Sequence, residues 1–266
     1  MIQEFYGFSN LPFTRDIPED KLFLTKDQEE ILGRLFFAAK NHWFAVLTGD
    51  CGSGKSTLLR RFCHDLNPNT YKIFYLADSQ LTPRHFYNGI LRQMGVDGAF
   101  YRGDSKKILH RELGSLIALK KQQPVILVDE AHLLSKEMLE EIRFLLNFDI
   151  DSKSPLALIL SGQTELMEKL RRQSYTAISQ RVNLFCQTRY FDRGELEHYI
   201  QKQLDFAGYT SEIFAKEAMD SIFDFTSGCP RLINRLCTHL LLYGAQRERK
   251  ILTASDVESV QHAELP

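Results

Sequence analysis

The sequence predicts an α/β domain with a mostly parallel sheet, followed by a smaller domain built only of helices. Two observations carry that prediction. Short, continuous apolar runs alternate with amphipathic stretches as far as residue 190, and beyond it only helical periodicity remains. A glycine-rich turn also stands directly behind the first apolar run, where a strand hands over to a helix.

Residues 1–25 contain Gly7, Pro12 and Pro18 among aromatics without a regular period, so they read as an extended arm. Residues 27–41 (DQEEILGRLFFAAKN) place apolar groups at helical spacing, and FAVLTG at 44–49 is a buried strand ending in glycine. A helix over 55–66 and a strand YKIFYLA at 71–77 follow. Helices near 83–94 and 105–121 lead to PVILVDE at 124–130, a continuous apolar run of the kind that a parallel sheet covers on both faces. A helix over 135–148 precedes strand LALILSG at 156–162, and a last short strand falls near 184–189. Helices are then expected at 192–208, 211–226, 229–246 and 253–261. The implied organisation is an arm at 1–25, an α/β core at 26–190 and a helical domain at 191–266.

Composition narrows the class. With 266 residues, 44% apolar and 25% charged, the chain has ordinary globular usage and enough length for a real core. No run approaches the roughly 18 apolar residues of a membrane span, and MIQEFYGFSN lacks a signal peptide's basic and apolar regions, so a cytoplasmic protein is expected. The five cysteines are scattered and never spaced as CxxC, which suggests neither a disulfide framework nor a zinc site. Charge is uneven: the segment after residue 191 is acidic, while basic residues outnumber acidic ones over 77–121.

Chemistry concentrates at two strand ends. GDCGSGKST (Gly49, Asp50, Cys51, Gly52, Ser53, Gly54, Lys55, Ser56, Thr57) fits GxxxxGK[ST] between a strand and a helix. There backbone N–H groups wrap a phosphate, the helix amino-terminus adds its positive dipole, Lys55 neutralises the outer phosphates and Ser56 ligates magnesium. VILVDEAH at 125–132 supplies the carboxylates: Asp129 for magnesium and Glu130 to polarise water. A kinase would also use Lys55 and Asp129; Glu130 points to hydrolysis. Gln163, just past the fourth strand, is placed to orient the water or the γ-phosphate, the other reading being a solvated turn residue. Arg181 in ISQRVN and Arg231 in GCPRLIN are candidate further cations, with Arg171 and Arg172 as alternatives to Arg181.

Several stretches together resemble an AAA+ ATPase of the ExeA-like group, which contains the general secretion pathway A component and small ATPases that accompany transposases. They are YGFSNLPFTRDIPEDKLFLT, GDCGSGKSTLLRRF, VILVDEAHLLSKEMLEEIRFLLNF, LALILSGQTELMEKLR, ISQRVNL and FTSGCPRLINRLCTHLLLYGA, and they cover nearly the whole chain. The resemblance implies a P-loop NTPase sheet with a helical lid, and ATP and magnesium as cofactors. It implies further that Arg231 is the sensor-2 arginine and that Arg181 is the arginine finger offered to a neighbouring subunit. By the same resemblance the arm, with Phe13, Ile17 and Pro18, lines the adenine pocket, and Arg235, one turn after Arg231, faces the lid interior or a neighbour.

Two jobs share such an engine. The free-standing relatives imply a transposition regulator that forms rings or helical filaments on duplex DNA and recruits a transposase. The secretion-type relatives carry further parts, whereas this chain stops at LP after the lid, which favours the first job. Arg84, Arg102, Lys106 and Lys107, interleaved with aromatics in TPRHFY and FYRGDSKK, are the candidate phosphate contacts. The alternative is an ATPase of a secretion or envelope-assembly system acting on a protein partner.

Overall fold

A computed structural model describes residues 2–78, 81–146 and 154–264. In chain order the elements are α1 (Ile2–Tyr6), α2 (Lys26–Asn41), β1 (Phe44–Thr48), α3 (Lys55–Asp65), β2 (Tyr71–Leu76), α4 (Pro83–Gln93), α5 (Arg102–Ala118) and β3 (Gln123–Val128). They continue with α6 (Lys136–Leu145), β4 (Ala157–Gly162), α7 (Thr164–Arg171), α8 (Thr176–Ser179) and β5 (Leu184–Gln187). Helices α9 (Arg193–Phe206), α10 (Lys216–Thr226), α11 (Pro230–Gln246) and α12 (Ala254–Glu264) complete the described chain. The chain divides into two compact units. A sheet unit comprises Lys26–Cys51 and Leu58–Thr188; a helical unit comprises Met1–Thr25, Gly52–Thr57 and Arg189–Pro266.

The sheet has five strands in the order β2-β3-β4-β1-β5, and every pairing is parallel. Register is fixed by pairs such as Ala45 with Ile159, Val46 with Phe185 and Phe74 with Ile126. Burial explains the sequence pattern. The central strands β1 and β4 are buried at every position, because helices cover both faces, whereas the edge strands β2 and β5 expose Tyr75, Phe185 and Gln187. Phe44, Val46, Phe74, Ile126, Leu158 and Leu160 point to one side and join a single core with the apolar faces of α4, α5 and α6. On the sheet's other face α2 lies against β1, β4 and β5.

The helical unit has its own core, in which Leu196, Ile200, Ile222, Ile233, Leu240 and Val257 of α9–α12 meet Tyr6, Phe8 and Phe13. Helix α9 starts in a capping box: the Asp192 carboxylate accepts the Glu195 N–H at 2.8 Å, and the Glu195 carboxylate accepts the Asp192 N–H at 2.9 Å. Buried Asp256 accepts the Thr253 N–H at 2.9 Å and anchors the start of α12.

The extended reading of residues 1–25 is corrected. Ile2–Tyr6 is helical, the Tyr6 hydroxyl donates to the Arg249 carbonyl at 3.2 Å, and Tyr6 stacks on Phe8 with centroids 5.2 Å apart. These aromatics are inserted singly between helices, so no period betrays them. Helix α5 begins at Arg102 rather than 105, and α7 and α8 occupy a stretch for which no helix is expected. Helix α10 begins at Lys216 rather than 211, because Phe214 first bridges to Leu252. The expected residues 147 and 148 of the helix over 135–148 lie outside the described residues. Among the described residues no helix is long and apolar enough to cross a membrane.

Candidate nucleotide site

Three strands of the sheet unit deliver their carboxyl ends to one edge: β1 runs into residues 49–51, β3 into Asp129 and Glu130, and β4 into Gln163. The chain leaves β1 for β2 across two intervening positions and later returns to both flanks of β1, which makes this edge the place where α/β sheets receive ligands.

The two adjacent carboxylates have different surroundings. Asp129 is 8% exposed. Its Oδ2 accepts the Tyr75 hydroxyl at 3.1 Å and its Oδ1 accepts the Glu130 N–H at 3.0 Å, while its own N–H donates to the Leu76 carbonyl at 2.8 Å. Tyr75 ionises only near pH 12, pushed up first by burial and then by the Asp129 charge, so its hydroxyl stays a donor. Glu130 takes the left-handed conformation (φ 52°, ψ 31°), and its side chain remains 53% exposed. A left-handed glutamate is strained, and such strain gathers at functional positions.

Behind Glu130 the turn Ala131–Leu133 is fastened from α7: Lys169 Nζ donates to the carbonyls of His132 at 2.5 Å and of Leu134 at 3.1 Å. Gln163 is partly buried and meets the His132 ring through its N–H and its side-chain amide, at 3.4 and 3.2 Å. Thr164 Oγ1 donates to Asp50 Oδ1 at 3.0 Å, which ties the end of β4 to the loop after β1.

In the helical unit, Gly52–Thr57 lies against the start of α11. A Cβ built on Gly52 would fall 2.9 Å from Cys229 Sγ and 3.0 Å from Arg231 Cβ, and Gly52 itself has φ +83°. Only glycine fits that cradle. Ser53 is fully buried, Lys55 and Thr57 are partly buried, and Ser56 is exposed at the first turn of α3. Arg231 is exposed on α11, and so is Arg235, which rules out the lid interior and leaves the other expected place, facing a neighbour. Phe13 and Ile17 are buried, Phe13 with its N–H donating to Gln203 Oε1 at 2.8 Å, and Pro18 is exposed.

Other predicted residues are dispersed through the sheet unit. Arg181 is partly exposed ahead of β5, and Arg171 and Arg172 are exposed at the end of α7. Lys106 donates to Glu141 Oε1 at 3.0 Å, and Arg102 reaches Glu137 at 3.3 Å and Glu141 at 3.6 Å. Lys107 pairs with Asp104 at 3.8 Å, and Arg84 stacks 4.5 Å above the Phe100 ring. Burial alone would raise the Glu141 pKa; the hydrogen bonds from Tyr87 and Lys106 and the nearby Arg102 charge prevail and hold it below the ordinary carboxylate range. Tyr75, His132, Lys169 and Cys229 are site neighbours to which the sequence reading gave no role, although His132 stands inside the quoted VILVDEAH.

A family model described as an AAA domain matches residues 39–170, the stretch that carries the glycine loop and both acidic residues. Residues 39–170 form an AAA domain, an ATP-hydrolysing module. The chain is 28% identical over 263 residues to general secretion pathway protein A of Aeromonas hydrophila, an alignment covering 97% of this chain and 47% of that protein. The chain therefore spans about half the length of this curated relative. Among solved structures, Drosophila ORC bound to DNA superposes with a TM-score of 0.67 at 18% identity over 98% of this chain and 64% of that one. The RuvB Holliday junction branch migration motor of Thermotoga maritima gives 0.64 at 18% identity, over 94% and 72%. At that identity the two structures establish the fold: a P-loop sheet flanked by helices and followed by a helical region. The cofactors of the ATPase module are ATP and magnesium; within the helical unit the Gly52 cradle fits a phosphate, and within the sheet unit the buried Asp129 carboxylate fits the metal.

Proposed function

We propose that the chain binds and hydrolyses ATP at the subunit interfaces of a homo-oligomer and uses the nucleotide state to act on duplex DNA as a cytoplasmic regulator of transposition. The observation that carries the nucleotide half of this reading is the seating of Cys229 and Arg231 directly on Gly52. A cation that shares backbone packing with the phosphate loop senses what the loop holds, so loss of the γ-phosphate changes its environment. Residues 49–57 wrap the phosphates, Lys55 neutralises them, and Ser56 and Asp129 hold magnesium. When bound, that ion screens the phosphate charge against the incoming nucleophile. Glu130 polarises the water, Gln163 orients it, Phe13, Ile17 and Pro18 serve the adenine side, and Arg181 completes the site of the adjoining subunit.

Gly52→Ala is expected to weaken ATP binding at least about tenfold, because the strained φ and the 2.9 Å approach to Cys229 oppose the loop together. Titration with a fluorescent ATP analogue checks this; unchanged affinity would remove the cradle from the argument.

For the DNA half, support comes from the DNA-bound neighbour of like fold, from the exposed Phe100 and Tyr101 with Arg84 stacked on Phe100, and from the exposed Lys107. Arg102 and Lys106 contribute less charge to that face, since Glu137 and Glu141 already oppose them. A second reading is favoured by the curated relative: an ATPase of a secretion or envelope-assembly system acting on a protein partner. Electron microscopy of the protein with a nonhydrolysable ATP analogue, with and without duplex DNA, separates the two. Rings or filaments that form or lengthen on duplex support the first reading, assemblies indifferent to duplex support the second, and monomers throughout refute both. Lys55→Ala should abolish ATP retention in every arm.

A further inference from the structure

His132 stands between the two residues assigned to the attacking water. Its Nδ1 lies 3.4 Å from Glu130 Oε2, and the same atom lies 3.4 Å from the Gln163 backbone nitrogen. On the other side of the ring, Nε2 is 3.2 Å from Gln163 Nε2. The imidazole is only 12% exposed; its backbone carbonyl is held by Lys169, and Gly162 passes so near its peptide nitrogen that an added Cβ would stand 2.9 Å away.

Nδ1 has two competing partners. Accepting the Gln163 N–H requires a lone pair on Nδ1; donating to the Glu130 carboxylate requires a proton there. A neutral ring satisfies one or the other. With the proton on Nδ1, the ring donates to Glu130 and Nε2 accepts from the Gln163 amide. With the proton on Nε2, Nδ1 turns to the Gln163 peptide, and Nε2–H needs the amide oxygen in place of the amide nitrogen. The orientation of the Gln163 amide and the hold on Glu130 are therefore tied through one ring.

We propose that His132 is a positioning residue that couples Gln163 to Glu130, so that a γ-phosphate oxygen engaging the Gln163 amide sets the orientation of the Glu130 carboxylate. This rests on the hydrolytic reading of Glu130 given above. No bond forms between His132 and the nucleotide; passage between the two arrangements takes one proton off Nδ1 and puts one on Nε2 by exchange with solvent, so the ring stays neutral and only directs the carboxylate. Lys169 is the charged group facing His132 from α7, and it meets the carbonyl rather than the ring.

The test is a double-mutant cycle on steady-state ATP hydrolysis by the full chain, with His132→Ala, Gln163→Ala and the double variant. His132→Ala is expected to lower kcat about tenfold with KM held within about twofold, and the double variant to be no slower than the slower single. His132→Asn, which keeps a donor near Nδ1, should recover much of the loss and stands in should the alanine variant fail to fold. Effects that multiply in the double variant, or an asparagine variant as slow as alanine, overturn the coupling. A Glu130→Gln variant run alongside separates the two failures. Turnover that persists there overturns the reading of Glu130 itself, whereas turnover lost there but unmoved in the His132 variants overturns only the coupling.

Discussion

Glu130→Gln should leave ATP binding intact while lowering phosphate release by about two to three orders of magnitude, the range expected when a general base is lost. The two neighbouring acids are not equivalent. Asp129 is buried and held by Tyr75 and by the Glu130 N–H, a fixed carboxylate suited to a metal. Glu130 is pushed into the left-handed region and keeps half its side chain open to solvent, which suits a group that must take a proton from water. Glutamine has the same shape and hydrogen-bonds the same neighbours, so the fold and the bound nucleotide persist; only the proton acceptor is gone. The measurement is single-turnover phosphate release beside an ATP binding isotherm. Asp129→Asn is the comparison, and it should affect the magnesium dependence of binding as well as the rate. Turnover by Glu130→Gln within tenfold of the parent would show that another group accepts the proton.

What the sequence made legible follows from local physics. Central parallel strands are buried at nearly every position and carry continuous apolar runs, so β1, β3 and β4 stand out between turn signals. The glycine loop is recognisable because its spacing is set by phosphate geometry, and the start of α9 because DRGE writes its capping box in four consecutive residues. The illegible parts depend on residues far apart in the chain. Glu137 and Glu141 neutralise Arg102 and Lys106 from 35 residues away, so a basic stretch that reads as a free face is partly consumed by an ion-pair cluster. Tyr75 reaches Asp129 only because β2 and β3 pair in register. The arm hides for a similar reason: Phe8, Phe13 and Phe23 each fill a different gap in the helical core and share no spacing.

Gly228→Ala is expected to be the most destabilising single-methyl change in the helical unit, by about 3–5 kcal/mol. Two penalties add. Gly228 sits at φ +75°, a left-handed conformation costing a residue with a Cβ about 1 kcal/mol. The new Cβ would also stand 1.9 Å from the Phe191 carbonyl oxygen and 2.9 Å from its carbon. That neighbour is backbone and cannot rotate aside, and it is fixed from both ends, because the Phe191 N–H donates to the Gly228 carbonyl at 3.0 Å and the Phe191 ring packs on Phe23 and Tyr199. Relief would require parting the two chain segments that open α9 and α11, a large fraction of ordinary domain stability. Gly7→Ala provides the control within the same unit: its φ is +76°, but nothing lies within 4 Å of the added Cβ, so only the conformational penalty of about 1 kcal/mol applies. The difference between the two denaturant midpoints therefore isolates the clash. Equal midpoints would mean that the chain around Phe191 yields freely. Loss of ATP binding by Gly228→Ala is expected as well, since the segment it displaces carries Cys229 and Arg231 onto Gly52; Gly7→Ala should keep it.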